Sequence, residues 1–372
     1  MRLPEPALAG EALANNAHAN TPRLNGRRAV VVCDQWLGSN GYAAMRALRR
    51  TGWSVDVAAE WEFIPVRWRT PGMRVVGRMV RAAAVREFNA HLATVARDVR
   101  PEMLLVFKGT FVQAKTIDSL RERGTRAYCF YPDVSFRTHG PYLPDALPRY
   151  DWVFTTKSFG LHDLREQLGM TRVSKLDHAF DPDLHRPIRL TLDDIARYQC
   201  DVSFIGTWSP KKEKVLTALA SARPTLRLRV WGDQWQRAKA TGPLAKHIEH
   251  RAVIGAEYVR AIAASAINLG ILSEQRAGSS DGDQITSRTF HTPACGGFLL
   301  HERTDEVLHL FADGSSIVCY SDDVEMIDRI DEYLEAPDRR HEIAESGRRV
   351  VESKHSWDAR IQEILALHDA QR

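Results

Sequence analysis

Two series of short apolar runs, each followed by a loop and an amphipathic stretch, constrain the fold of this chain most. The first series predicts strands at Ala29–Cys33, Trp53–Ala58, Met103–Phe107, Arg126–Tyr131 and Trp152–Thr155. The second predicts strands at Val202–Ile205, Leu226–Trp231, Ala266–Ile271, Phe298–Leu300 and Ser316–Tyr320. Strands that alternate with helices pair in parallel. A turn-rich segment, Asp177–Pro187, separates the series, so the sequence predicts two Rossmann-like, doubly wound α/β domains facing a cleft.

Composition sets the domain boundaries. Residues 1–25 are rich in Ala, Asn and Pro and lack the apolar run of a signal peptide, which predicts a disordered leader. The first domain is placed at residues 26–185, the second at 186–355, and a terminal helix at 356–372.

Charge and cysteine usage narrow the class of protein. The formal net charge is only +4 over 372 residues, which supports no nucleic-acid partner but tolerates an anionic small molecule. The five cysteines are scattered without metal-type spacing, which is typical of core residues in a reducing compartment. No apolar segment is long enough to span a membrane, and the cytoplasm is the expected location.

Six arginines lie between Arg67 and Arg86, among apolar residues such as Val75 and Val80. This segment is able to meet anionic lipid or a large acidic acceptor. The favoured interpretation is the solvated face of a helix that packs on the core.

A phosphate-binding arrangement is predicted near the start of the second domain. Gly206 and Thr207 follow a predicted strand, and Lys211 and Lys212 begin the next helix. Backbone N–H groups, the helix dipole and lysine charge together suit a diphosphate. An ordinary tight turn with solvated lysines is an equally weighted alternative.

The stretch Asp283–Leu300 reads as a polar loop, a helix and a buried strand. Arg288 lies in the first turn of that helix, where a planar guanidinium is able to pair with an anion. His291 follows three residues later and is expected on the same helix face. The pair Gly296 and Gly297 is predicted to cap the helix, because glycine adopts positive φ at low cost.

In the first domain, Asp133 and His139 follow the end of a predicted strand and are expected to face the cleft. Either group is able to deprotonate an acceptor hydroxyl. Turn formation after Pro132 is the alternative role for Asp133. The Gly38–Gly41 loop lacks the full dinucleotide fingerprint, so it is weak support for a nicotinamide cofactor.

The segment Arg288–Leu300 resembles the group 1 glycosyltransferase region of CgeB-like proteins, whose pattern is close to Arg-Thr-Phe-Glu-x-x-Ala-Cys-Gly. Asp201–Trp208, Ile267–Gly270 and His355–Arg360 are also similar to that family. The resemblance covers most of the chain and is strongest after Cys200.

This resemblance implies the GT-B fold, with the acceptor in the first domain and a nucleotide sugar in the second. It implies no metal and no cofactor, because basic groups and helix dipoles stabilise the leaving diphosphate. It also implies that the terminal helix crosses back to the first domain, and it favours retention of the anomeric configuration.

The resemblance further implies the roles of individual residues. The family's acidic residue and glutamate, separated by seven positions, fall on Asp283 and His291. Asp283 keeps the carboxylate for sugar hydroxyls, whereas His291 is able to contact ribose only through a ring nitrogen. His178 lies in the interdomain segment, and Thr289 joins the donor set. Lys211 or Lys212, with Arg288, would meet the diphosphate.

The sequence therefore predicts transfer of a hexose-type sugar from a nucleotide diphosphate to an acceptor hydroxyl. A nucleotide-sugar epimerase on the same fold is one alternative. A catalytically inactive binding protein is the other, and the loss of the glutamate at His291 favours it.

Overall fold

The computed structural model describes residues 26–64, 73–239 and 241–371. Within these ranges the strands form two separate parallel sheets, as the sequence predicts. The first sheet consists of β1 (Arg28–Val32), β2 (Ser54–Ala58), β3 (Met103–Phe107), β4 (Arg126–Tyr131), β5 (Trp152–Thr155) and β6 (Val173–Lys175). Its spatial order is β2-β1-β3-β4-β5-β6. This order reverses direction at β1, which is typical of a doubly wound sheet.

The second sheet repeats this architecture. Its strands are β7 (Cys200–Ile205), β8 (Leu228–Trp231), β9 (Ser265–Gly270), β10 (Leu299–Glu302) and β11 (Val318–Tyr320), in the spatial order β11-β10-β9-β7-β8. The central strands β1 and β3 of the first sheet are buried on both faces, as the continuous apolar runs Ala29–Val32 and Met103–Val106 show.

Helices cover both sheets. The turn-rich segment Asp177–Pro187 is the linker between the domains. The helices before it are α1 (Asn40–Arg50), α2 (Met73–Val99), α3 (Ala114–Glu122), α4 (Leu143–Ala146) and α5 (Ser158–Leu168). Those after it are α6 (Leu192–Tyr198), α7 (Pro210–Ala222), α8 (Ala256–Ala263), α9 (Ser287–Ala294), α10 (Asp305–Leu310), α11 (Asp323–Leu334), α12 (Pro337–Lys354) and α13 (Trp357–Ala370). None of the helices in the described ranges is long and apolar enough to cross a bilayer.

The terminal helix α13 lies on the first domain. The ring of Trp357 meets those of Phe107 and Phe130 edge-on, with centroids 5.5 and 5.2 Å apart. Near the other end of the helix, His368 Nδ1 lies 3.1 Å from the hydroxyl oxygen of Tyr128. Aromatic contacts of this kind add to the free energy of burial, so the last segment of the chain ties the two domains together.

Two sequence predictions fall partly or wholly outside the described residues. The leader, residues 1–25, lies outside them, and so do Arg67 and Arg69. Further along the same basic segment, Val85 and Phe88 of α2 are buried, and Arg86 is exposed. This part therefore has the solvated face of a core-packed helix.

The two glycines after α9 have different roles, whereas the sequence predicts that both cap the helix. Gly296 has φ +76°, but Gly297 does not adopt positive φ. A Cβ atom on Gly297 would lie 2.7 Å from Ile262 Cγ2 and 3.0 Å from the side-chain amide of Asn268. Gly296 thus ends the helix, whereas Gly297 allows the chain to pass close to its neighbours.

Candidate active site in the interdomain cleft

A cavity of about 840 Å³ lies between the carboxyl ends of the two sheets. The first domain lines it with residues that follow β3, β4 and β5, and the second with residues that follow β7, β8 and β9. Among the lining residues are Lys108, Asp133, His139, Lys157, His178, Thr207, Trp208, Lys212, Gln234, Arg237, Ser273, Arg276, Asp283, Ser287 and Arg288. This is the edge at which parallel sheets bind ligands.

Arg288 is fixed beneath the second-domain wall by two strand ends. Its two terminal nitrogens donate to the carbonyl oxygens of Ile205, at 3.1 Å, and Ile271, at 2.9 Å. A Cβ atom at residue 206 would lie 2.8 Å from the guanidinium, so Gly206 makes room for it. Burial lowers the pKa of Arg288. A buried cation with only carbonyl partners is stabilised by an incoming anion.

Lys212 presents a second cation beside it. Its Nζ donates to Ser273 Oγ at 3.0 Å and to the carbonyl oxygen of Thr207 at 3.2 Å. Burial, reinforced by the charge of Arg288, lowers the pKa of Lys212 to about 7. Both partners are neutral, so the ammonium group is expected to gain stability from a bound phosphate.

The N-terminus of α9 completes this wall. Thr286 is the N-cap residue, and Ser287 and Arg288 form the first turn, where backbone N–H groups lack intrahelical partners. Ser287 Oγ lies 3.0 Å from His178 Nδ1. Burial lowers the pKa of His178 well below its ordinary value, so the imidazole is neutral and supplies hydrogen bonds without charge.

Asp283 is held by a residue of the other domain. Its Oδ1 lies 2.5 Å from Lys157 Nζ, and the two side chains are only 8% and 4% exposed. Lys157 lies two residues after the end of β5 and directly before α5, whereas Asp283 lies in the loop before α9. The predicted sugar-contacting carboxylate therefore forms a buried ion pair across the cleft.

The first-domain wall presents Asp133 and His139, as the sequence predicts. Asp133 Oδ2 lies 2.7 Å from Lys108 Nζ and 3.5 Å from His139 Nε2. Burial lowers the pKa of His139 despite the nearby carboxylate. His139 Nδ1 lies 2.9 Å from the carbonyl oxygen of Ser135, which only accepts, so Nδ1 carries the hydrogen of the neutral ring.

Four predicted donor-binding residues, Gly206, Lys211, Thr289 and His291, do not line the cavity. Lys211 pairs with Glu302, with 2.5 Å between Nζ and Oε1. Thr289 is completely buried, and its hydroxyl oxygen lies 2.9 Å from His301 Nε2. Residues 211 and 212 are adjacent on α7, and neighbouring positions on a helix do not share a face. Only Lys212 therefore reaches the cavity.

His291 also points away from the cavity. Its Nε2 donates to the carbonyl oxygen of Ala179, 3.1 Å away. Its ring stacks on that of His185, with centroids 3.9 Å apart and planes inclined by 16°. A spacing of three residues moves a side chain about 4.5 Å along a helix. Here that shift places His291 against the linker.

The sequence predictions missed several lining residues, among them Lys108 and Lys157. Both strands that precede them, Met103–Phe107 and Trp152–Thr155, were predicted with their observed bounds. Lys108 is the first residue after its strand, and Lys157 is the second residue after its strand. The rule that pointed to Asp133, that polar side chains at strand ends face the cleft, also applies to both lysines.

Comparison with known proteins supports this architecture. Residues 211–366 match a family described as glycosyl transferase-like. A search of curated proteins finds no similar sequence. The family match covers the second half of the chain, and the two sheets have the GT-B fold.

Three solved structures share the fold at low sequence identity. Sucrose-phosphate synthase from Thermosynechococcus elongatus is 12% identical, with a TM-score of 0.66 over 93% of this chain and 99% of that one. A glycosyltransferase from Rickettsia africae is 11% identical, with a TM-score of 0.63 over 93% and 99%. HepE from Anabaena in complex with UDP is 12% identical, with a TM-score of 0.61 over 92% and 100%.

Proposed function

We propose that this protein is a glycosyltransferase that moves a sugar from a nucleoside diphosphate to an acceptor hydroxyl within the cleft. One observation carries the proposal. Arg288 and Lys212 are cations whose hydrogen-bond partners are neutral, and they lie beside the N-terminus of α9. A diphosphate supplies the charge that these groups lack.

In the reaction, the acceptor oxygen bonds to the anomeric carbon on the face from which the diphosphate leaves, as the bond from that carbon to the diphosphate oxygen breaks, so the configuration is retained. The electron pair leaves with the diphosphate, whose growing charge is stabilised by Lys212 and Arg288. This stabilisation would need no metal. Among the described residues, no group of three or more His, Cys, Asp or Glu side chains is arranged to hold a metal ion.

The acceptor proton passes to Asp133 in this proposal. His139 is less suited to be the base, because its Nδ1 is committed to the carbonyl of Ser135 and its Nε2 faces Asp133. Lys108 Nζ, 2.7 Å from Asp133 Oδ2, holds the carboxylate at the cavity wall.

The nucleobase of the donor is assigned to the planar side chains of Trp208 and Arg237, beside the diphosphate site. The Trp208 ring is fixed by a bond of 2.7 Å from its Nε1 to Glu213, and the guanidinium of Arg237 lies 4.4 Å from the ring centroid. Arg237 is held in turn by Gln234, at 3.0 Å. Planar groups with free polar edges are suited to stacking with a nucleobase and bonding to it.

The finer parts of the prediction belong to this proposal too. They are transfer of a hexose, retention of the anomeric configuration, kinship with the CgeB-like subfamily and a cytoplasmic location. HepE has been solved with UDP-glucose and with UDP and glucose, which favours a hexosyl donor for a protein of this fold.

Calorimetric titration with UDP, GDP and dTDP tests the proposal. At least one of these nucleotides is expected to bind, and the matching nucleotide sugar should release its diphosphate in the presence of a hydroxyl-bearing acceptor. Binding of none of the three would refute the proposal. Conversion of the nucleotide sugar into its epimer without an acceptor would instead establish the epimerase alternative.

A further inference from the structure

The loop between β9 and α9 is hydrogen-bonded to the first domain at three points besides the Lys157–Asp283 pair. We call residues 273–283 the bridging loop. The three bonds run from Ser135 Oγ to the Ala277 carbonyl at 2.7 Å, from Gln167 Nε2 to the Gly278 carbonyl at 2.9 Å, and from the Ser280 N–H to Asp163 Oδ2 at 2.9 Å. The loop therefore spans the cleft.

The close fit of this loop depends on Gly278. It has φ +82°, and a Cβ atom there would lie 2.6 Å from Arg137 Cδ. Asp163, which accepts the bond from Ser280, is itself only 4% exposed. These contacts place the loop against α5, whose first residue follows Lys157 directly. The same helix thus carries Lys157 at its N-cap and anchors the loop that ends in Asp283.

Within this framework, Lys157 determines the charge and orientation of Asp283. A lone carboxylate beside the site for a diphosphate would repel the donor and pay the cost of burial. Lys157 cancels this charge with a bond of 2.5 Å. An ammonium group has three donors, so two N–H groups remain for the cavity that Lys157 lines.

We propose that Lys157 is a positioning residue that turns Asp283 toward the donor sugar only when the two domains close. This inference rests on the proposed function. The diphosphate site lies wholly on the second domain, whereas the sugar site is complete only when the first domain supplies Lys157. Donor binding and closure of the cleft are thereby coupled, and an open enzyme binds the diphosphate without orienting the sugar.

The test compares Lys157→Met with the wild-type protein, using UDP-glucose, GDP-mannose and dTDP-glucose as donors. For the donor that the wild-type protein uses, kcat/KM is expected to fall about 100-fold, the usual cost of misplacing a reacting group. Affinity for the free nucleoside diphosphate should change by less than about threefold, because Arg288 and Lys212 remain. The ratio of donor affinity to diphosphate affinity is therefore the decisive readout. Lys157→Arg should restore part of kcat.

Lys175→Met is the matched control. Lys175 Nζ also crosses between the domains, at 2.8 Å from Glu306 Oε2, but does not line the cavity. Its loss is expected to leave the affinity ratio unchanged.

Equal losses in the two Met variants, or unaltered turnover in folded Lys157→Met, would overturn the positioning role. Melting temperature establishes folding, and Lys157→Arg decides the matter if the Met variant does not fold. Failure of the wild-type protein to bind any nucleoside diphosphate would instead refute the proposed function.

Discussion

The two walls of the cleft differ in the hydrogen-bond and ion-pair partners of their basic side chains. On the second-domain wall, Arg288 and Lys212 donate to carbonyl and hydroxyl oxygens. On the first-domain wall, Lys108 and Lys157 are already paired with carboxylates, Lys108 with Asp133 of its own domain and Lys157 across the cleft. The two cations of the second wall have neutral hydrogen-bond partners, whereas the lysines of the first are paired with carboxylates.

This difference fits the two partners of a transfer reaction. A nucleoside diphosphate is anionic and gains most where cations lack a counter-charge. An acceptor hydroxyl is neutral, so it needs a proton acceptor and no surplus charge. Under the proposed function, this asymmetry favours the second domain as the donor site, the order that the family resemblance implies.

Replacing Arg288 with Met should have the largest effect on this asymmetry. We expect the Kd for the bound nucleoside diphosphate to rise about 100-fold or more, because truncating a buried, hydrogen-bonded charge costs about 2–5 kcal/mol. Calorimetry measures the change. Arg288→Lys should retain part of the affinity, since it keeps the charge but not both carbonyl bonds.

Arg303→Met serves as the control, because Arg303 already pairs with Asp313 at 2.7 Å and does not line the cavity. Unchanged affinity in a folded Arg288→Met protein would contradict the proposal that the second wall binds the diphosphate through Arg288.

Replacing His291 with Glu tests whether α9 carries donor contacts on more than one face. The new carboxylate would be buried beside the carbonyl of Ala179, and the ring stacking with His185 would be lost. An unpaired buried charge costs about 3 kcal/mol or more, so the melting temperature should fall without any gain of donor turnover. Calorimetric or optical melting and diphosphate release measure the two outcomes.

His291→Gln is the companion variant, because its amide still donates to Ala179 and no charge is buried. A gain of turnover in His291→Glu, with stability retained, would restore the ribose role that the spacing from Asp283 predicts.

The fold was predictable because its signal is local. Met103–Phe107 and Arg126–Tyr131 are buried strands whose observed bounds equal the predicted ones. The edge strand Val173–Lys175 escaped prediction since it is short and only Val173 is buried. Three residues with one apolar side chain carry too little periodicity to identify a strand.

The site was only partly predictable, because contacts across the cleft have no local signature. Strand ends pointed to Asp133 and Lys212, which do line the cavity. Nothing near Asp283 in the sequence reveals that its partner is Lys157, 126 positions away. Likewise, His291 satisfies the family spacing but follows the packing of the linker, which only the folded chain defines.

The smallest expected effect is a pH dependence that distinguishes the two adjacent lysines of α7. Burial lowers the pKa of Lys212 to about 7, from an ordinary value of 10.5. Between these values the unfolded chain holds a proton that the folded protein lacks, so stability of the unliganded protein rises with pH across this window. A bound diphosphate favours the charged form and so removes this trend. Affinity should therefore fall about 25-fold between pH 7.5 and 9.

Calorimetry in buffers of different ionisation enthalpy should show proton uptake on binding across this range. Lys212→Met is expected to bind more weakly and to lose both the uptake and the slope attributable to this group. Lys211→Met should keep both, because Lys211 pairs with Glu302 away from the cavity. If the two variants instead behave alike, Lys212 is not the cation that meets the diphosphate. Arg288 then provides the positive charge of the second wall for that group.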